Sequence, residues 1–362
     1  MLFLMRQVYE FGICQLHMMI CSEKTNFRFE GEGNIKNFAK ASLSALIQGQ
    51  IKSDYPELLA AAEPTPDPVR NAYVSADMKR ELLKTLLEKA GAIALLSLGQ
   101  AIDTIEYDPV WYYALRSRTP KVLFDKWNRF ERYAHSTNRV RIEKQSDCSA
   151  SFTRYGIEGY QPSIPENLLI CGVMIALLEA IGCQSLECYM PDKNGEWHKV
   201  REKHQFTLHT DNPVSIYNLD TSRWLISWHK IMPRKIDNDN IQKEFDFELP
   251  PITLLQNQDK VKKITQHVAN DISRVWKIED VAWEMGYSIR SLQRLLTMSD
   301  LSFSKLIRLI RIQFACKMLS QKKNSLTSIA FCLGFSDSAH FSRDFKASMG
   351  MSPSAYRKSL YP

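Results

Sequence analysis

Two short stretches, SIRSLQRLL (288–296) and SDSAHFSRDFK (336–346), gather side chains that can bond the edge of a nucleic-acid base. On a 3.6-residue wheel, Ile289, Leu292, Leu295 and Leu296 share one face of the first stretch. Arg290 and Arg294 point the other way, with Ser291 and Gln293 flanking them. In the second stretch Phe341 and Phe345 face inward, and Ala339, Arg343 and Lys346 face outward beside His340 and Ser342. Arginine can give two parallel hydrogen bonds to guanine N7 and O6, and glutamine can pair in the same way with adenine. Small Ser and Ala let a helix lie close to those edges. The competing reading is two ordinary helical hairpins with solvated basic faces.

Other chemistry fits less well. Ser302 and Lys305 form an S-x-x-K, the spacing of one acyl-transfer nucleophile pair. They open a long helix and have no companion motif, so helix capping is the expected role. His198, His204 and His209 lie close in sequence, but 204 and 209 fall on opposite faces of an expected strand. No glycine-rich phosphate loop occurs. Trp111, Tyr112, Tyr113 and Trp127 suit a core better than a pocket. The eight cysteines (Cys14, Cys21, Cys148, Cys171, Cys183, Cys188, Cys316 and Cys332) include no C-x-x-C pair, which suits free thiols in a reducing compartment. No catalytic residue, metal site or cofactor is expected.

The elements that position the two polar rows are repeated. IEDVAWEMGYS (278–288) aligns without gaps on LTSIAFCLGFS (326–336), 48 residues on. Ile278, Val281, Ala282 and Met285 make one helical face, as do Leu326, Ile329, Ala330 and Leu333. Gly286 and Gly334 end those helices where a left-handed residue is needed, and Tyr287 and Phe335 fill the corner. Ser288 and Ser336 are placed to cap the helices that follow. Helix, glycine turn, then a helix with a polar free face is the layout of a helix-turn-helix. The rod between the copies, 302–319, would be ~27 Å long at 1.5 Å per residue. One turn of B-DNA is ~34 Å, so such a rod suits two reading helices in successive major grooves. Lys305, Arg308, Arg311 and Lys317 lie on or near it.

Expected helices cover 254–270, 278–286, 289–296, 302–319, 326–333, 338–347 and 353–358. Upstream the pattern is mixed. Helices are expected over 36–49, 76–101, 119–135 and 168–183, the third opened by Thr119 and Pro120 with Val122, Leu123, Trp127 and Phe130 on one side. Strands are expected over 139–144, 150–155, 185–190, 204–209 and 213–218. The fold class is therefore an α+β N-terminal domain (1–232), a linker (233–252), and an all-α C-terminal domain (253–362) with two helix-turn-helix units joined by a long helix.

Charge follows that division. Residues 251–362 hold 17 Lys and Arg against 8 Asp and Glu, a net of +9. The preceding 250 residues hold 30 against 32, a net of −2. A basic domain beside a near-neutral one points to a polyanion partner. The opening stretch MLFLMRQVYEFGICQLHMMICSEK carries Arg6, Glu10 and His17 and no small-residue cleavage site, so no export signal is expected. The most apolar run, Leu168 to Cys183, contains Glu179 and is too short to span a bilayer. The expected location is the cytoplasm.

The stretches IEDVAWEMGYSIRSLQRLL, SFSKLIRLIRIQFACKML and SLTSIAFCLGFSDSAHFSRDFKASMGMSPSAYR resemble the AraC/XylS family of bacterial transcription regulators. The resemblance covers about 275–358. It implies base-facing roles for Arg290, Ser291, Gln293 and Arg294 in the first unit, and for Ser338, Ala339, His340, Ser342 and Arg343 in the second. Asp300 stands where the family usually has glycine, and Asp tolerates the left-handed conformation better than most residues. Upstream, YYALRSRTPKVLFDKWNRFERYAH, PENLLICGVMIALLEAIG and SLECYMPDK are similar to the arabinose-binding-type effector domain of one subgroup, which includes ornithine-utilisation and virulence regulators. The resemblance implies a sequence-specific transcription regulator, an activator responding to a small molecule or acting through dimerisation. Its partners would be double-stranded DNA, RNA polymerase, a small-molecule effector and a second copy, with no membrane. The alternatives are an effector-independent repressor or architectural DNA binder, and an enzyme anchored by a basic domain.

Overall fold

The computed structural model describes residues 38–54, 73–99, 113–135, 137–208, 215–232, 258–321 and 324–361. The expected linker at 233–252 lies outside these residues, as do Cys14, Cys21, Trp111, Tyr112, His209 and the first turn of the helix expected from 254. The described residues all belong to one compact unit, Asn37–Pro362.

The chain enters through β1 (Phe38–Lys40), which runs straight into α1 (Ala41–Asp54). A second short strand, β2 (Tyr73–Ser75), pairs antiparallel with β1 and leads into α2 (Ala76–Leu98), broken at Gly91 where φ is 80°. Next comes α3 (Pro120–Ala134), whose Thr119 side chain accepts from the Val122 N–H at 3.3 Å. The sequence predicts this start, because proline at the first position has no N–H to leave unpaired.

Strands β3 (Asn138–Gln145) and β4 (Ser149–Gly156) form the expected hairpin. After α4 (Ile164–Ala180) come β5 (Cys183–Gln184), β6 (Glu187–Pro191), β7 (Trp197–Glu202), β8 (Gln205–Phe206), β9 (Arg223–Ser227) and β10 (Lys230–Ile231). Six of these make one antiparallel sheet in the order β3-β4-β9-β6-β7-β8, and β5 pairs with β10.

Helix α4 is apolar around its circumference because it is covered all round, with Leu168 to Ile175 all buried. It meets α2 with almost no side chain between the backbones. A Cβ on Gly172 would fall 2.0 Å from the Leu96 carbonyl oxygen, and one on Gly99 would fall 2.2 Å from the Gly172 carbonyl carbon. On its other side the Cys171 sulfur lies 3.7 Å from that of Cys188 on β6. Helix α3 adds Phe124, set edge-on to Phe152 of β4, which leans on Trp224 of β9.

Two expected strands are corrected. Residues 216–218 form a 3-10 turn, with the Ser215 side chain accepting from the Tyr217 N–H. Of the described residues 204–208, only Gln205–Phe206 form a strand, since Lys203 and His204 make the left-handed corner that turns the chain back onto β7. The central strand β9 was not expected. Buried Trp224 and Ile226 alternate along it with outward Arg223, Leu225 and Ser227.

From Gln258 the described chain is helical: α5 (Gln258–Ala269), α6 (Ile278–Glu284), α7 (Ile289–Thr297), α8 (Phe303–Leu319), α9 (Leu326–Cys332), α10 (Ser338–Met349) and α11 (Pro353–Leu360). The fold is thus an N-terminal α/β region with a sheet, followed by a helical region. Among the described residues no helix is long and apolar enough to cross a membrane.

Candidate nucleic-acid interface

The two repeated helix pairs, α6–α7 and α9–α10, turn by the same backbone bonds. The Gly286 N–H donates to the Trp283 carbonyl at 3.3 Å and the Tyr287 N–H to Ala282 at 2.8 Å. Forty-eight residues on, Gly334 donates to Phe331 at 2.9 Å and Phe335 to Ala330 at 3.0 Å. Both glycines are left-handed, with φ of 71° and 74°. These are Schellman closures, which satisfy the last carbonyls of a helix and swing the chain away from its axis. Ala282 and Ala330 are buried where the paired helices meet.

The helices after the turns start differently. Ser288 caps α7, accepting from the Ser291 N–H at 3.1 Å and donating to the Ser291 hydroxyl at 2.8 Å. Its expected counterpart Ser336 does not cap α10. Asp337 does, accepting from the His340 N–H at 2.6 Å. That bond first, then one from Ser336, holds the Asp337 carboxyl below its usual range. Asp caps as well as Ser does and carries the charge that a helix N-terminus favours, so the start slips one residue along the repeat. Ser336 instead bonds Asp337 and the His340 ring, and that ring lies edge-on to Phe335.

On α7, Arg290, Ser291, Gln293 and Arg294 are all exposed, and Leu292, Leu295 and Leu296 are buried. Ile289, expected on the inner face, is 42% exposed, because it lies at the first turn before the helix meets the core. On α10, Ala339, Arg343 and Lys346 are exposed, and Ser338, His340 and Ser342 are half-buried beside them. Phe341 and Phe345 pack inward, edge to face. The predicted rows therefore lie together on two outward helix faces, with His340 partly engaged in its own turn.

Between the pairs, Ser302 caps α8 by accepting from the Lys305 N–H at 3.2 Å, the role expected of it. Asp300 does adopt the left-handed conformation, at φ 55°. Arg308 is exposed, 3.8 Å from Asp344. Arg311 is turned inward over the Phe335 ring, and burial draws its guanidinium down to about 10.

One pair of matched positions differs sharply. Trp283 on α6 is 86% exposed, whereas its repeat partner Phe331 on α9 is fully buried.

The N-terminal region contains a buried polar cluster that the sequence did not signal, since its members are spread from residue 79 to 166. The Glu166 carboxylate accepts from the Ser163 N–H at 2.9 Å, from Asn138 Nδ2 at 3.1 Å and from Arg80 Nη2 at 3.3 Å. Glu131 accepts from the Val140 N–H at 2.8 Å, and burial pushes its carboxyl up to about 7. Burial, with Lys79 next in weight, presses the His135 imidazole down to about 2. Of the three histidines weighed above, His198 pairs with Asp192 at 3.3 Å and His204 with Glu179 at 3.1 Å, in separate places. Asp192, Glu196 and His198 cluster in the β6–β7 turn, where Asp192 accepts from the Asn194 and Glu196 N–H groups.

A helix-turn-helix domain model matches residues 281–359, from within α6 to within α11. Residues 281–359 are an AraC-type helix-turn-helix domain. A TCP pilus virulence regulatory protein of Vibrio cholerae is 30% identical to this chain over 105 residues, 29% of this chain and 38% of that protein. A raffinose operon transcriptional regulatory protein of Pediococcus pentosaceus is 44% identical over 64 residues, 18% of this chain and 23% of its own. The likeness to the virulence regulator thus spans well under half of its length. Among solved structures, an AraC-type DNA-binding domain protein of Chromobacterium violaceum matches 29% of this chain and 94% of its own at 26% identity, with a TM-score of 0.28. ToxT of Vibrio cholerae matches 50% of this chain and 91% of its own at 16% identity, also with a TM-score of 0.28. The AraC-type domain contains all ten residues of the two polar rows.

Proposed function

We propose that this chain is a sequence-specific DNA-binding transcription regulator whose α7 and α10 enter the major groove. The observation that carries this reading is the repeated closure itself. Two glycine turns with identical bonding each release a helix whose free face is Arg, Gln, Ser, Ala or His rather than a uniform basic strip. In the proposed division of labour, residues 253–362 read DNA as two helix-turn-helix units joined by α8. Residues 1–232 sense a small molecule or dimerise, and 233–252 link the two. Activation through RNA polymerase is the proposed sense of regulation, supported by a relative in Escherichia coli named as a transcriptional activator, 28% identical over 95 residues.

Phosphate contacts would supply salt-dependent affinity, and the two rows would supply discrimination. Arg294→Ala and Arg343→Ala are each expected to lose ~1–3 kcal/mol of preference at one base, with little change on random DNA. The check is competition binding of the purified chain to a selected site and to its single-base variants. Equal losses on specific and random DNA would remove these residues from base reading.

A further inference from the structure

Helix α3, in the α/β region, touches both the loop that leads into the first helix pair and the first helix of the second pair. Lys126 is fully buried, and its ammonium donates to Asp271 Oδ1 and to the Tyr113 carbonyl, both at 2.7 Å. Asp271 organises the loop that leads into α6: it accepts from the Ser273 hydroxyl at 2.9 Å, and its carbonyl accepts from the Trp276 indole at 2.9 Å. One turn along α3, the Arg129 guanidinium donates to the Ser273 carbonyl and lies over the Phe331 ring of α9, 5.7 Å from its centre. Phe130 meets the same ring edge-on at 5.7 Å.

The lead-in loop and the second turn also abut each other. A Cβ on Gly334 would come within 3.0 Å of the Ser273 carbonyl oxygen, 3.2 Å of that of Ile272 and 2.8 Å of Arg311 Nη2. The entry to the first pair, the turn of the second pair and the middle of α8 therefore converge under one face of α3. Lys126 ties the first of these to α3, and Arg129 spans from it to Phe331 of α9.

We infer that Lys126 and Arg129 are positioning residues for DNA reading: by clamping the 271–273 loop to α9, α3 fixes the distance and phase between the two reading helices. The consequence is specific. A rigid pair of helices accepts two half-motifs at one separation only, whereas an unclamped pair tolerates neighbouring separations. Neither residue touches DNA in this account. This inference rests on the proposed reading of DNA by both pairs.

The test is selection of bound duplexes from a random-sequence pool by the purified full-length chain, followed by sequencing. Wild type is expected to return two half-motifs at a single spacing. Lys126→Met is expected to return the same half-motifs spread over spacings shorter and longer by a base pair or more, and Lys126→Arg is expected to restore the single spacing. Because Lys126→Met leaves a buried carboxylate without its cation, the companion variant Lys126→Met/Asp271→Asn removes both charges and is better placed to fold. A merely structural role for the pair would lower stability and leave the spacing unchanged. One unchanged spacing in the folded variants overturns the clamp and leaves the DNA reading intact. A wild-type pool with a single half-motif also overturns the clamp. No enriched motif in the wild-type pool overturns the DNA reading, and the clamp with it.

Discussion

Gly286 and Gly334 hold the same left-handed backbone at equivalent points of the repeat, yet their surroundings differ. A methyl group at Gly286 would meet nothing within 4 Å, so alanine there carries only the conformational penalty, ~1–2 kcal/mol. At Gly334 the same methyl would press on two backbone carbonyls and the Arg311 guanidinium. Gly334→Ala should therefore cost more than Gly286→Ala, by ~1–3 kcal/mol of added overpacking. Urea unfolding of the two single variants measures the difference, and equal costs would contradict the packing described. His340 also resists a simple wheel assignment. Its position on the helix is outward, but Ser336 and Phe335 hold its ring against the turn.

Among the elements, α2 and α4 depend on two glycines for their close approach. Gly172→Ala would drive a methyl into the Leu96 carbonyl, and neither backbone can yield without moving the helix that plugs the sheet. The expected loss is ~3 kcal/mol or more, at the upper end for overpacking. Thermal unfolding checks it, and a shift of less than a few degrees would mean that the two helices slide apart freely. The sequence made some elements plain and hid others for physical reasons. Helices α3, α4 and α6 to α11 carry their own signals: the Thr119–Pro120 start, an unbroken apolar run, and a repeat whose every position has a local purpose. Strand β9 has no such signal. Its RWLIS is only five residues long, and what makes it central is pairing with β4 and β6, far away in the chain. Residues 213–218 look extended by type, but Ser215 folds the backbone into a turn that residue type alone does not favour. The polar rows were legible because each lies opposite a 3.6-residue apolar face and follows a repeated glycine turn. The clamp under α3 was not, because Lys126 and Asp271 are 145 positions apart.

For the molecule as a whole, the buried polar cluster ties stability to pH. His135 ionises near 6.5 when unfolded but only at about 2 when folded, so its contribution is complete above pH 6.5. As pH falls, the unfolded chain takes up a proton that the folded chain refuses, and stability drops by up to ~1.4 kcal/mol per unit. Glu131 works against this: its raised value lets the folded state hold a proton between about 4.5 and 7, which adds stability as pH falls through that range. The histidine part is therefore read as a difference. His135→Asn should lose ground to wild type at pH 7 and recover it at pH 5, measured by urea unfolding at both values. A gap between the two proteins that stays constant with pH would show that His135 titrates normally.

The cover that α3 places on Phe331 has a practical side as well. Phe130 and Arg129 shield that ring, while Trp283 at the matching point of the repeat faces water. A fragment beginning after α3 would uncover Phe331 and add its ring to the already exposed Trp283, each on the short first helix of its pair. Enlarged apolar patches of that kind promote self-association. Helix α3 thus covers one apolar ring of the region that follows it, and versions shortened past α3 are expected to self-associate more readily than the full chain.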